Sequence, residues 1–204
     1  MLKKKKQSGQ GNFGGDTMTI EERREKAIEE IVERLPEEMG EEEKQMQKEV
    51  LKKVFIEGLT LKEAAGIGDD FIDFVYSEAF RLYQSGKYKE AGRYFRVLVN
   101  FEPIPRHVMG LAASHHQMKE FDMAVAYYLF LASIDTDSPV PFYHTVDCYI
   151  QQELPDVALF WIKRAIERCG DDPKYSKLKA RSYATMSSLE EKLGIEGEGQ
   201  ESPK

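Results

Sequence analysis

One small residue returns along the middle of the chain with the same neighbours each time. The run Tyr88-x-x-Ala91-x-x-x-Phe95-x-x-Leu98 recurs as Phe121-x-x-Ala124-x-x-x-Tyr128-x-x-Leu131 and as Pro155-x-x-Ala158-x-x-x-Ile162-x-x-Ala165, so the offset is 33 residues from Ala91 to Ala124 and 34 from Ala124 to Ala158. Upstream of each copy lies a matching stripe at i, i+4, i+7: Val75, Ala79, Leu82; Val108, Ala112, His115; Phe142, Val146, Tyr149. That spacing places each triplet on one face of a helix. Every period therefore reads as a pair of helices, with alanine where they cross most closely and a larger side chain would push them apart.

A period of this length is that of tetratricopeptide repeats. The expected fold is all-α: three tandem tetratricopeptide hairpins forming a concave right-handed solenoid, with repeats at about 72–105, 106–138 and 139–171. Punctuation agrees with the period. Gly86 ends the first helix of repeat one, Pro103 and Pro105 separate repeats one and two, Pro139 and Pro141 open repeat three, and Pro155 suits the first turn of a helix. Gly170 closes the array, and Pro173 opens a further helix over 173–193, suited to capping the last repeat. Together these form a domain over 69–193, with Asp69-Asp70 and Asp171-Asp172 read as helix caps.

Residues 18–68 form an N-terminal helical segment. Thr19-Ile20-Glu21-Glu22 is a capping-box pattern leading into Ala27, Ile28, Ile31 and Leu35 at helical spacing, stopping before Pro36. A second charged helix over 41–57 carries Met46, Val50, Val54 and Phe55, and Thr60-Leu61-Lys62-Glu63 opens a short third one. Residues 1–17, basic and then Gly-rich, and residues 194–204 are expected to be disordered tails. The lysine run Lys3 to Lys6 lacks the apolar stretch of an export signal behind it.

Composition narrows the function. A net charge of −7 argues against binding to a phosphate backbone. Cys148 and Cys169 make neither a disulfide framework nor a zinc pattern and read as small buried side chains. None of His107, His115, His116 and His144 stands in a metal-binding spacing, and no phosphate loop or nucleophile motif occurs. No cofactor, metal site or catalytic residue is expected, and the chain is not expected to be an enzyme. A binding protein remains.

Beside the packing stripe, each first helix carries a second stripe free to face a concave groove: Tyr76, Phe80, Tyr83; then Met109, Ala113, His116; then Tyr143, Asp147, Ile150. The first is more aromatic than packing requires. Two readings stand: the aromatics anchor a peptide, with His116 and Asp147 orienting its backbone, or another part of the chain covers them.

The runs Gly58-Leu59-Thr60-Leu61-Lys62-Glu63, Tyr76-Ser77-x-Ala79-Phe80, Gly86-Lys87-Tyr88, Met109-Gly110-Leu111-Ala112-Ala113 and Pro141-x-x-His144-Thr145-x-x-Cys148 strongly resemble the class II chaperones of type III secretion, the LcrH/SycD-like group. The resemblance covers about residues 58 to 193. It implies a protein of the Gram-negative bacterial cytoplasm that binds hydrophobic, pore-forming translocators before secretion, with a short proline-containing segment in the groove and no membrane insertion or nucleic acid. It also implies groove contacts at Tyr76, Phe80, Tyr83, Tyr88 and Tyr128, and a homodimer through the N-terminal helices. Residues 1 to about 57 depart from that pattern in being longer and more charged. The other reading of the groove is a scaffold or regulatory adaptor of secretion or gene expression.

Overall fold

A computed structural model describes residues 18–195; the tail expected over 1–17 lies outside the described residues, as does that expected over 194–204 except for Gly194, which caps the last helix, and Ile195. The chain divides into two compact units, Met1–Leu59 and Thr60–Lys204.

In the first unit, α1 (Ile20–Glu33) packs against α2 (Glu41–Phe55). The capping box forms as its sequence requires: the Glu22 amide donates to Thr19 Oγ1 at 3.1 Å, and the Thr19 amide donates to the Glu22 carboxylate at 2.6 Å. Gly40 begins α2, placing Glu41, Glu42 and Glu43 in the first turn where the helix dipole favours them. Lys48 bridges to Glu29 across the pair at 2.5 Å. Ile28 alone among the described residues of these two helices is buried, while Ile20, Ile31, Met46 and Phe55 stay exposed.

The second unit is all-helical among the described residues. After α3 (Leu61–Ala64) come three hairpins: α4 (Asp69–Gln84) with α5 (Tyr88–Phe101), α6 (Pro105–Gln117) with α7 (Phe121–Ile134), and α8 (Val140–Gln151) with α9 (Pro155–Cys169). A 3₁₀ turn at Pro173–Tyr175 precedes α10 (Ser176–Leu193). From α4 onward each α-helix packs on the next, and α4 also touches α6, the neighbour one repeat along. Ala91, Ala124 and Ala158 are fully buried at the hairpin crossings, as their role as spacers demands.

Some caps differ from the sequence expectation. Gly68, not an aspartate, caps α4, and Asp69 and Asp70 occupy its first turn. Asp69 is drawn off by Lys62, whose ammonium lies 2.5 Å from it and 3.5 Å from Glu102, tying α3 to the start of α4 and the end of α5. Asp172 does cap, its carboxylate accepting from the Lys174 amide at 2.8 Å, but what it starts is the 3₁₀ turn, with α10 following from Ser176.

The bend between the helices of each hairpin uses a left-handed residue at equivalent positions: Gly86 (φ 78°), Lys119 (φ 61°) and Glu153 (φ 59°). Only the first is glycine, the residue to which this conformation costs least. The repeat geometry imposes the same turn on the other two.

Candidate functional site

Helix α4 turns Val75, Ala79 and Leu82 into the core, with Ile72 one turn earlier, and this leaves Tyr76, Phe80 and Tyr83 along its flank. Their rings form a continuous surface. Tyr76 lies parallel to Phe80 with centroids 6.3 Å apart and meets the buried Phe95 edge-on at 6.0 Å, while Tyr83 meets Tyr88 edge-on at 5.2 Å. Arg106, at the start of α6, sets its guanidinium 4.9 Å from the centre of the Tyr76 ring and pairs with Asp73 at 2.9 Å. Phe80 is 46% exposed, more than a core side chain would be.

These rings wall a cavity of about 280 Å³ whose opposite side is Met109, Gly110 and Ala113 of α6. Gly110 is needed there: a Cβ at this position would lie within 2.5 Å of Phe95 ring carbons. A second cavity of about 320 Å³ continues from it, sharing Tyr83, Met109 and Ala113 and adding His116, Tyr128, His144 and Asp147. The two make one groove, apolar at the α4 end and polar at the α8 end.

The polar end is a hydrogen-bonded cluster. Nε2 of His116 lies 3.1 Å from the Asp147 carboxylate and its Nδ1 lies 3.3 Å from the Tyr128 hydroxyl; Tyr128 in turn stacks on His144 with centroids 5.1 Å apart. The hydrogen bond from His116 holds the Asp147 carboxyl below its usual range, despite partial burial. Burial raises the Tyr128 hydroxyl and pushes the Cys148 thiol beneath it up to about 12. That thiol stays protonated and unreactive. The arrangement offers hydrogen bonds and one carboxylate to a bound segment. Among the described residues no group of His, Cys, Asp and Glu is placed to hold a metal ion.

Burial also lowers the pKa of His107 and of His144, with His116 adding to the effect at His144. A base depressed in the folded state takes up its proton more readily when unfolded. Its stabilising contribution is complete above the unfolded pKa of about 6.5 and is lost as pH falls toward the folded pKa. Thermal unfolding followed by circular dichroism is expected to shift to lower temperature between about pH 7.5 and about pH 5, with a smaller shift in His144→Phe. A midpoint that does not move with pH would contradict this.

Of the residues singled out in the sequence, Tyr76, Phe80, Tyr83, Met109, Ala113, His116, Tyr128 and Asp147 line the groove. Tyr128 does so from beneath, at 1% exposure. Tyr88 reaches the groove through its contact with Tyr83. Two residues stand apart. Tyr143 packs against the core of the third hairpin, and Ile150 lines a separate cavity with Pro155 and residues of α10. Arg106, one helical turn before Met109, and His144, one turn before Asp147, also line the groove although neither was expected there; both spacings were available as signals.

Similarities to known proteins converge on one group. The family model for the tetratricopeptide repeat matches residues 72–103 and 107–137. The third hairpin lies beyond those matches yet packs like the others. Low calcium response locus protein H of Yersinia pseudotuberculosis is 29% identical over 147 residues, 72% of this chain and 88% of its own length. Chaperone protein SicA of Salmonella dublin is 28% identical over 134 residues, 65% of this chain and 79% of its own. Among solved structures, the Yersinia enterocolitica type III secretion chaperone SycD in complex with a peptide of the translocator YopD superposes with a TM-score of 0.58 at 28% identity, covering 62% of this chain and 98% of that one.

Proposed function

We propose that this chain, a tetratricopeptide-repeat protein of the LcrH/SycD-like group of class II type III secretion chaperones, holds an apolar segment of a hydrophobic translocator protein in its groove and keeps that client soluble until secretion. The observation that carries the reading is the pair of joined cavities sharing Tyr83, Met109 and Ala113 beside the exposed ring of Phe80. An extended segment lying there places apolar side chains against Tyr76, Phe80 and Tyr83. Each well-buried anchor contributes about 1.5 to 3 kcal/mol.

Further along, Met109 and Ala113 set the width, and His116 and Asp147 present hydrogen-bonding groups to the client's backbone or polar side chains. Tyr88 and Tyr128 support the walls. The mechanism is stoichiometric occupancy, without catalytic turnover, in the bacterial cytoplasm. No helix of the described residues is long and apolar enough to cross a membrane.

Co-expression tests it directly. A translocator encoded beside this chain is expected to move from the insoluble to the soluble fraction and to co-purify at a fixed ratio. If none of the candidate translocators does either, the proposal fails.

A further inference from the structure

A second surface, sharing no lining residue with the groove, lies on the third hairpin. Phe142 of α8 and Phe160 and Trp161 of α9 touch in series, with ring centroids 5.4 Å apart for Phe142–Trp161 and 5.1 Å for Phe160–Trp161. They border a cavity of about 490 Å³. Phe160 is 52% exposed, so hairpin packing does not account for it.

Two guanidinium groups flank these rings. Arg164 lies 5.5 Å from the Phe160 centroid and is paired with Glu167 at 3.1 Å. Arg168 lies 4.2 Å from the Phe142 centroid and donates from Nη1 to the Ala132 carbonyl at 3.2 Å. Among the described residues no carboxylate pairs with Arg168. A guanidinium has five N–H donors in a fixed fork suited to a carboxylate. Here the fork is oriented by a ring and a backbone carbonyl at the wall of an open aromatic cavity.

The equivalent positions in the other repeats lack this chemistry: where repeat three has Phe160, Arg164 and Arg168, repeat two has Ala126, Phe130 and Ile134, and repeat one has Arg93, Val97 and Phe101. The feature belongs to one hairpin, not to the repeat as such.

We infer that this pocket docks an acidic segment of a protein partner, distinct from the segment in the groove, with a carboxylate on Arg168 and a neighbouring aromatic or aliphatic side chain against Phe160 and Trp161. Charge complementarity selects the occupant: the protein is acidic overall at −7, yet the cavity wall carries two arginines against Glu167 alone. Tryptophan and arginine, both present at this cavity, are among the residues enriched where binding energy concentrates.

Trp161 is the one tryptophan in the chain, so its fluorescence reports this pocket and no other. The probe is a short capped peptide alternating glutamate with phenylalanine, free of tryptophan, compared with a counterpart in which lysine replaces every glutamate. The acidic peptide is expected to change Trp161 emission saturably, and Arg168→Gln to weaken that response about tenfold or more. Phe160→Ala should weaken it too, whereas Phe80→Ala, in the groove, should leave it intact. No saturable change, an equal response to the lysine peptide, or a response lost in Phe80→Ala would each overturn the inference. So would emission that depends on protein concentration without peptide and loses that dependence in Phe160→Ala, which would give the pocket to a second copy of the chain. Failure of this test leaves groove binding untouched, since the co-expression experiment reads a different surface.

Discussion

Replacing Tyr76, Phe80 and Tyr83 together by alanine is expected to weaken client binding at least about a hundredfold, enough to abolish co-purification. Truncating one central aromatic anchor costs about 2 kcal/mol or more, and each factor of ten in affinity is about 1.4 kcal/mol. The expected loss exceeds that of any other set of groove substitutions because these rings form one wall of the apolar cavity. Helix α4 should survive: its core contacts are Ile72, Val75, Ala79 and Leu82, none of them altered.

Tyr76 and Tyr83 also pack on the edge of that core, so the triple variant will lose some stability. Phe80→Ala alone is the cleaner arm, since its ring is nearly half exposed. Calorimetry with a client peptide and circular dichroism on the same samples separate the two effects. Binding retained in the triple variant, or helicity lost in Phe80→Ala, would mean that these rings serve the fold and not a client.

The second large effect concerns the opposite wall. Gly110→Ala should destabilise the protein by about 1 to 3 kcal/mol, as overpacking of a filled core does. For a protein of this size that lowers the thermal midpoint by about 2 to 4 °C per kcal/mol. The new methyl would meet the ring of Phe95, which is buried in the core cluster with Ala79, Ala91 and Leu111, so the ring or the helix must shift to admit it. Trimming the obstacle should rescue the variant: Gly110→Ala with Phe95→Leu is expected to recover part of the loss, although Phe95→Leu alone destabilises. If Gly110→Ala unfolds at the native temperature, the close approach of α6 to Phe95 is wrong. Because Phe95 and Gly110 both line the apolar cavity, the same substitution should weaken the client's hold there.

The triple substitution falls on the part of the site that was most legible beforehand. Tyr76, Phe80 and Tyr83 stood out because a helix has a fixed period and Val75, Ala79 and Leu82 already satisfied the packing face; the leftover aromatic stripe had to point elsewhere. Met109, Ala113, His116 and Asp147 followed from the same register one and two repeats on. That rule fails at Ile150, which occupies the position equivalent to Tyr83 and His116. By the third repeat the capping helix α10 has arrived beside it, and Ile150 opens onto Ala184, Thr185 and Ser188 instead of the groove.

The chain alone determined the hairpin period, the alanines at the crossings and the prolines at helix starts, because each depends on residues near one another or on one repeated spacing. It did not disclose the left-handed bends at Lys119 and Glu153, which the repeat imposes on residues that do not favour them. Nor did it disclose the stacking of Tyr128 on His144, the closeness of Gly110 to Phe95, or the reach of Arg168 to the Ala132 carbonyl. Those were decided by tertiary structure. A helical period sets the direction of a side chain on its own helix, while its partner depends on how far the neighbouring helix is shifted and rotated, and that is settled only when all the side chains between them pack at once.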